Sequence, residues 1–379
     1  MNDAPGHIAL IDYVGSKSGM DFYSLELLKA LQNKGYTCSC FSNFEDPTEG
    51  KVRIERTFKT HTPDPVLPRI FDFCYGYWKA TWRAKRNRSS AVIHHYYGAE
   101  LKELFALGLS FILRLRIVLI VHDVSALGSS DKAWIRNRAF RMAGQLVVHN
   151  AFSKKELISI LPQHLHSKID IIRHGNYLSL AETSIKKSDA RLLLGIPDDK
   201  KIILFFGQIK KAKGLDVLLD AMSAIDSDIH LIIAGKARKT SLEVYQSKIE
   251  NSSFLKRVSA RFAYIDNTTR DYYFRAADAI IIPYLHIYQS GVLLMAMSYG
   301  LPAIASNLEP IREVIQDGEN GVLFNTADHN GLAQKVNETF GNQERLHTMG
   351  QNAKTTMKKE YNWQTIADHY HEVIQKLKR

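Results

Sequence analysis

Cysteine is scarce in this chain and badly placed for cross-linking: Cys38, Cys40 and Cys74 are the only three among 379 residues. An odd number without zinc-ligand spacing excludes a disulfide scaffold and a zinc finger, and reads as reduced, structural thiols of a cytoplasmic protein. A long apolar run is lacking too. The most apolar window, Leu104 to Val121, is interrupted by Arg114 and Arg116, which a spanning helix tolerates poorly, so it reads as a helix followed by a core strand. Met1-Asn-Asp-Ala-Pro-Gly6 lacks the basic and apolar regions of a signal peptide, and the expectation is a protein that is not exported. Repeats, low-complexity tracts, a helix-turn-helix pattern and RNA-binding aromatic signatures are absent, which makes nucleic acid the least favoured partner.

What is present is an ordinary globular composition, 45% hydrophobic and 23% charged, over a length that suggests about two domains. Net charge is +11, and it is uneven. Residues 1–180 hold 24 Lys/Arg against 16 Asp/Glu, whereas residues 181–379 hold 26 against 23. A basic first half fits phosphorylated ligands or an anionic membrane.

Strand and helix patterns alternate throughout, so the fold class is α/β, with two Rossmann-like doubly wound domains expected to face each other across a cleft. In the first, His7 to Asp12 reads as a strand, followed by Gly15-Ser-Lys-Ser-Gly19 and a helix from Met20 to Asn33 with Phe22, Leu25, Leu28 and Leu31 on its apolar side. Further strands are expected at Ala91 to His94, Ile117 to Val121, Gln145 to His149 and Ile169 to Ile172, and the polar span Ser179 to Arg191 reads as a linker. The second begins at Lys201 to Phe206 and continues with strands at Ile229 to Ala234, Arg261 to Ile265, Ala279 to Ile282 and Ala303 to Ser306. The expected divisions are residues 1–178 and 179–362, with 363–379 as a closing helix.

Two segments point to phosphate. Gly207-Gln-Ile-Lys-Lys-Ala-Lys213-Gly214 is a glycine turn with three lysines behind a strand, and it lacks the Walker order. Ser290 and Gly291 open a helix whose first backbone N–H groups and positive dipole end suit an anion.

These segments carry a resemblance. The chain resembles the retaining, nucleotide-sugar-dependent glycosyltransferases of family four, which have the GT-B fold, over nearly its full length, and the resemblance implies that the closing helix 363–379 crosses back onto the first domain, with packing on its own domain open as the alternative. The family's Gly-Arg-Leu-x-x-x-Lys-Gly loop stands as Gly207-Gln-Ile-x-x-x-Lys213-Gly214, with Gln208 in place of arginine. Its closing motifs stand as Gly300-Leu-Pro302-Ala-Ile-Ala305 and Glu313-Val-Ile-Gln-Asp-Gly-Glu-Asn-Gly-Val-Leu323. Val121-His-Asp123, His149-Asn150-Ala-Phe-Ser153 and Ile172-Arg-His-Gly175 are also similar to family segments.

The resemblance implies a metal-independent hexosyltransferase without a cofactor, its nucleotide-sugar donor held by Gly15, Gly19, Gly207, Gln208, Lys213, Tyr264, Ser290, Gly291, Val292 and Glu313. It implies His122 as a donor-sugar and phosphate contact, with His95 and His174 on the acceptor and sugar side. A packed His122, with Asp123 capping a helix, stays open as the alternative. Where the family usually has two glutamates eight apart, Ile287 and Met295 stand here, so the carboxylate grip on the donor is absent and Glu313 or Glu309 is expected in its place. Asp226-Ser-Asp228 precedes a strand, at the wrong end for a metal–diphosphate site. A sugar-nucleotide epimerase on the same fold and an inactive partner subunit stay open as alternatives.

Arg69 to Arg88 holds six basic residues against the single acid Asp72, and Phe71, Cys74, Tyr75, Trp78 and Trp82 recur at helical spacing. Such a helix fits an anionic membrane surface from which a lipid-linked acceptor would be reached, or else packs its aromatics inward and leaves its cations solvated. The resemblance itself implies a glycan or lipid-linked acceptor in cell-surface polysaccharide or glycoconjugate synthesis. The expected location is cytoplasmic, with a peripheral position on the inner face of the membrane as the further reading.

Overall fold

The apolar runs become strands buried on both faces, as parallel sheets require. The computed structural model describes residues 5–18, 20–44, 52–59, 66–124, 132–182, 185–238 and 240–377. The chain divides into two units, one of residues 1–175 with 362–379 and one of residues 176–361.

The first unit is a seven-stranded parallel sheet of β1 (His7–Ile11), β2 (Thr37–Ser42), β3 (Arg53–Arg56), β4 (Ala91–Tyr96), β5 (Ile117–Val121), β6 (Gln145–Val148) and β7 (Ile169–Ile171), in the order β3-β2-β1-β4-β5-β6-β7. The order reverses between β1 and β4, where Ile8 pairs with both Cys38 and Ala91. Alternate residues face opposite sides. Ile8, Leu10, Ile93 and Val118 pack under α1 (Met20–Asn33) and the closing helix Trp363–Lys376, while Ala9, Ile11 and Val92 pack under α2 (Val66–Arg86). The buried face of α1 is centred on Tyr23, Leu27, Leu28 and Leu31, with Phe22 and Leu25 at its flank. This corrects the every-third-residue stripe, because a helix returns each 3.6 residues.

In α2, Tyr77, Ala80 and Ala84 face the core, whereas Phe71, Tyr75, Trp78 and Trp82 are 69, 49, 51 and 45% exposed. The inward-packing alternative for these four aromatics is overturned.

The second unit is a six-stranded parallel sheet of β8 (Lys201–Phe206), β9 (Ile229–Ala234), β10 (Val258–Arg261), β11 (Ala279–Ile282), β12 (Ala303–Ser306) and β13 (Gly321–Phe324), in the order β10-β9-β8-β11-β12-β13. Both sheets therefore carry the doubly wound Rossmann order, with switch points at β1/β4 and β8/β11. Two sequence expectations need correction. Residues of the expected linker form the helix Lys187–Leu194, because Arg191 is buried and bonds the carbonyls of Ala276 and Asp198 and the carboxylate of Asp278. The strand expected at Arg261 to Ile265 ends at Arg261, so Tyr264 lies in the loop beyond it. The boundary between units falls at Gly175, three residues before the expected one.

Trp363 covers Gly175, where any Cβ would collide with the indole, and meets the Tyr23 ring at 5.3 Å. Trp363→Ala is expected to destabilise the first unit by about 3–5 kcal/mol, read as a lower denaturant midpoint, with Trp363→Phe recovering part of the loss.

Candidate functional site

In the second unit, the C-terminal ends of β8, β9 and β11 are knitted together through glycine. Gly207 (φ +107°) donates its N–H to Ala234 O, and a Cβ on Gly235 would collide with the Gly207 backbone. Gly214 (φ +62°) starts the helix Leu215–Ala221 against the carbonyl of Pro283, again with no room for a Cβ. The turn between them carries Lys213, half-buried, with its Nζ 3.6 Å from the centroid of the Tyr284 ring. That cation–π contact holds the ammonium at the strand edge.

Ser290 caps the helix Gly291–Ser298 by accepting from Leu293 N–H at 3.2 Å. The N–H groups of Gly291 and Val292, first in that helix, lie outside the intrahelical ladder and at its positive end. Val292 lies beside Gly207, so the glycine turn and the helix start are neighbours. The Tyr177 hydroxyl lies so close to Gly291 that a Cβ there would approach it at 2.9 Å. The Tyr284 hydroxyl and His286 Nδ1 are buried without a hydrogen-bond partner.

The other expected donor residues of this unit are exposed to solvent. Gln208 is exposed, Tyr264 is 67% exposed in its loop, and Glu313 is exposed where the helix Glu309–Arg312 ends. Ile287 is half-buried and Met295 buried. Asp228 pairs with Lys201 at 2.8 Å, before β9. Among the described residues, no group of three His, Cys, Asp or Glu is placed to hold a metal ion.

In the first unit, Gly15 (φ +46°) folds over Asn43, which bonds Ser16 N–H and the carbonyls of Tyr13 and Val14. Gly19 lies outside the described residues. Beside this loop stands a row of imidazoles that residue spacing alone does not bring together. His95 at the end of β4, His122 after β5, His149 after β6 and His174 beyond β7 all pack against the Tyr23 ring, with centroids 4.7 to 6.0 Å away.

Burial drives all four towards the neutral form: His149 falls to about 3 and His174 to about 4, while His95 is lowered and His122, with three imidazoles around it, well below its usual value. His149 donates from Nδ1 to Ile172 O, leaving its buried Nε2 without a partner. His94, on the opposite face of β4, bonds Ser110 and is lowered to about 3. Glu103, facing Tyr13 at 3.0 Å, is raised by burial to about 7.

Two doubly wound units, one ending in glycine turns and a helix start and the other in uncharged imidazoles, define the class of GT-B glycosyltransferases. Two family models divide the chain between them: Glycosyltransferase Family 4 matches residues 17–179 and Glycosyl transferases group 1 matches residues 187–356. The chain belongs to the group 1 glycosyltransferases.

Among its relatives are D-inositol 3-phosphate glycosyltransferase of Mycolicibacterium gilvum, 26% identical over 52% of this chain and 45% of that protein, and phosphatidyl-myo-inositol mannosyltransferase of Mycobacterium leprae, 30% identical over 48% of each. The chain thus spans about half the length of the curated relatives it matches. Similar solved structures include Anabaena HepE in complex with UDP and glucose (TM-score 0.77, 18% identity, 98% of this chain and 99% of that one) and sucrose-phosphate synthase of Thermosynechococcus elongatus (TM-score 0.76, 20% identity, 98% and 99%). These share the fold.

The imidazole row has a consequence for stability. A base whose folded pKa lies below its unfolded value, near 6.5 for histidine, contributes fully above 6.5. As pH falls towards 3–4 the unfolded chain binds more protons, and that stability is lost at up to about 1.4 kcal/mol per pH unit for each histidine. The melting temperature is expected to be level near pH 7–8 and to fall below about pH 6.5. His149→Gln should show a shallower fall by scanning calorimetry.

Proposed function

We propose that the chain is a retaining glycosyltransferase that moves a hexose-type sugar from a nucleotide-sugar donor in its second unit to a lipid-linked or glycan acceptor in its first. The observation that carries this reading is the adjacency of the Gly207–Gly214 turn, with Lys213 on Tyr284, to the helix start at Ser290–Gly291. There a diphosphate meets backbone N–H donors, a helix dipole and one ammonium, which offset the charge of the leaving nucleotide without a metal ion. HepE crystallised with UDP and glucose supports a nucleotide donor of that kind. His122, uncharged, is the donor-sugar contact.

A lipid-linked acceptor is favoured by two observations. One relative is named for phosphatidyl-myo-inositol. The exposed aromatics of α2 adjoin Arg86, which stacks on Trp82 at 5.6 Å, and Lys85, so the helix offers an interfacial aromatic face edged with cations. No helix among the described residues is long and apolar enough to cross a membrane. The apolar pair Ile287 and Met295 favours one second reading, a binding-competent subunit without turnover.

A thermal-shift panel of UDP-, GDP- and ADP-sugars tests the donor, since the right one raises the melting temperature by mass action. Lys213→Ala should weaken that nucleotide sugar by about 1.5–3 kcal/mol in titration calorimetry, the range of a hydrogen bond to a charged group. Turnover with a lipid-linked acceptor, unchanged by EDTA, separates the enzyme from the silent subunit. For the membrane, wild type should sediment with phosphatidylglycerol vesicles at low salt, and a variant carrying Trp78→Ser, Trp82→Ser, Lys85→Glu and Arg86→Glu should remain in the supernatant.

A further inference from the structure

Asp12, the residue after β1, is buried and accepts three hydrogen bonds. Its Oδ1 accepts from the N–H groups of Val14 (3.1 Å) and Gly15 (2.9 Å), and its Oδ2 from the Ser24 hydroxyl (3.0 Å). Ser24 Oγ lies 3.2 Å from His95 Nε2, and His95 Nδ1 lies 2.8 Å from His122 Nε2. Carboxylate, hydroxyl, imidazole and imidazole therefore form one unbranched chain, and its end decides the direction of every bond in it.

A carboxylate only accepts, so the single proton of Ser24 goes to Asp12. Towards His95 the hydroxyl is then an acceptor, and His95 must carry its proton on Nε2. Its Nδ1 is bare, and His122 donates to it from Nε2. His122 is uncharged, so that proton is its only one and its own Nδ1 is bare as well. Among the described residues nothing bonds this nitrogen. The ring is half-buried and lies parallel to Tyr97, 5.1 Å between centroids and 10° between planes, which fixes its orientation.

We infer that Asp12 is a positioning residue that sets the tautomer of His122 through Ser24 and His95, so that His122 presents Nδ1 as a hydrogen-bond acceptor. Its complement is a hydroxyl group of the donor sugar. A phosphate oxygen, itself an acceptor, is refused at this position. The same carboxylate holds the Gly15 turn, so loop conformation and proton position are set by one residue. The hydroxyl assignment rests on the reading of His122 as the donor-sugar contact; the tautomer assignment does not.

The test is long-range ¹H–¹⁵N correlation of histidine-labelled protein at neutral pH, with the His122 signals identified by their loss in His122→Gln. Wild type is expected to show His122 protonated at Nε2. In Asp12→Asn the two loop N–H groups keep the amide oxygen and the NH₂ group turns to Ser24, which reverses every bond in the chain. His122 is then expected to carry its proton on Nδ1. An Nδ1-protonated His122 in wild type, or an unchanged tautomer in a natively folded Asp12→Asn, overturns the inference.

If Asp12→Asn does not fold, Ser24→Ala cuts the chain without touching the Gly15 turn. A mixture of tautomers is then expected, and unaltered Nε2 protonation is the refuting result. For the nucleotide sugar that gives the largest thermal shift, Asp12→Asn should weaken binding about tenfold, the effect of one hydrogen bond, and leave the parent nucleoside diphosphate unaffected. Equal loss for both overturns the hydroxyl contact. Absence of any thermal shift counts against the donor reading alone, because the tautomer is measured without a donor.

Discussion

Four imidazoles packed edge-on or tilted around one phenol ring must be uncharged, and much of the first unit follows from that requirement. A charged imidazole in this row would face one or two others across about 5 Å with little water to screen it. Neutral rings carry one donor and one acceptor each, so every one needs a polar partner of the correct sense. The partners are the Ile172 and Gly175 carbonyls, Ser24 and a neighbouring imidazole. Tyr23 can occupy the centre because its own hydroxyl pairs with that of Tyr370 at 2.9 Å on the closing helix.

On the donor reading proposed above, the second unit meets the opposite demand, since an anion requires N–H groups and positive charge without side chains in the way. Glycine supplies the space. At Gly207, Gly214 and Gly235 the backbone of one strand exit touches the next, and positive φ values let each chain turn within a residue or two of its strand. Lys213 on Tyr284 then adds its charge at a fixed place.

Most of the scaffold was legible from residue order. The strands from Ile117 to Val121 and Ala279 to Ile282 are uninterrupted apolar runs, and such runs have few alternatives in a chain that alternates with helices. The glycine turn and the helix start at Ser290 could be read because glycine and serine act locally. The imidazole row could not, since His95, His122, His149 and His174 lie about 25 residues apart and become neighbours only through strand order. Asp12 and Ser24 gave no signal, being one polar residue after a strand and another inside an amphipathic helix. Lys187–Leu194 looked like a linker because its burial depends on Arg191 finding Asp278, 87 residues away. The exposed side of α2 was ambiguous for a different reason, as apolar residues occupy both its inward and outward faces.

The discontinuity of the first unit bears on synthesis. Residues 176–361 form a contiguous unit whose contacts are complete once its last strand and helices have emerged. Residues 1–175 emerge earlier, yet the surface around Tyr23, Leu27 and Leu31 stays uncovered until the closing helix arrives. At roughly 5–20 residues per second, that apolar face waits tens of seconds behind a segment translated after it. The first part made is thus the last to finish, and a ribosome-bound intermediate with a completed second unit and an open first one is the form that chaperones would meet.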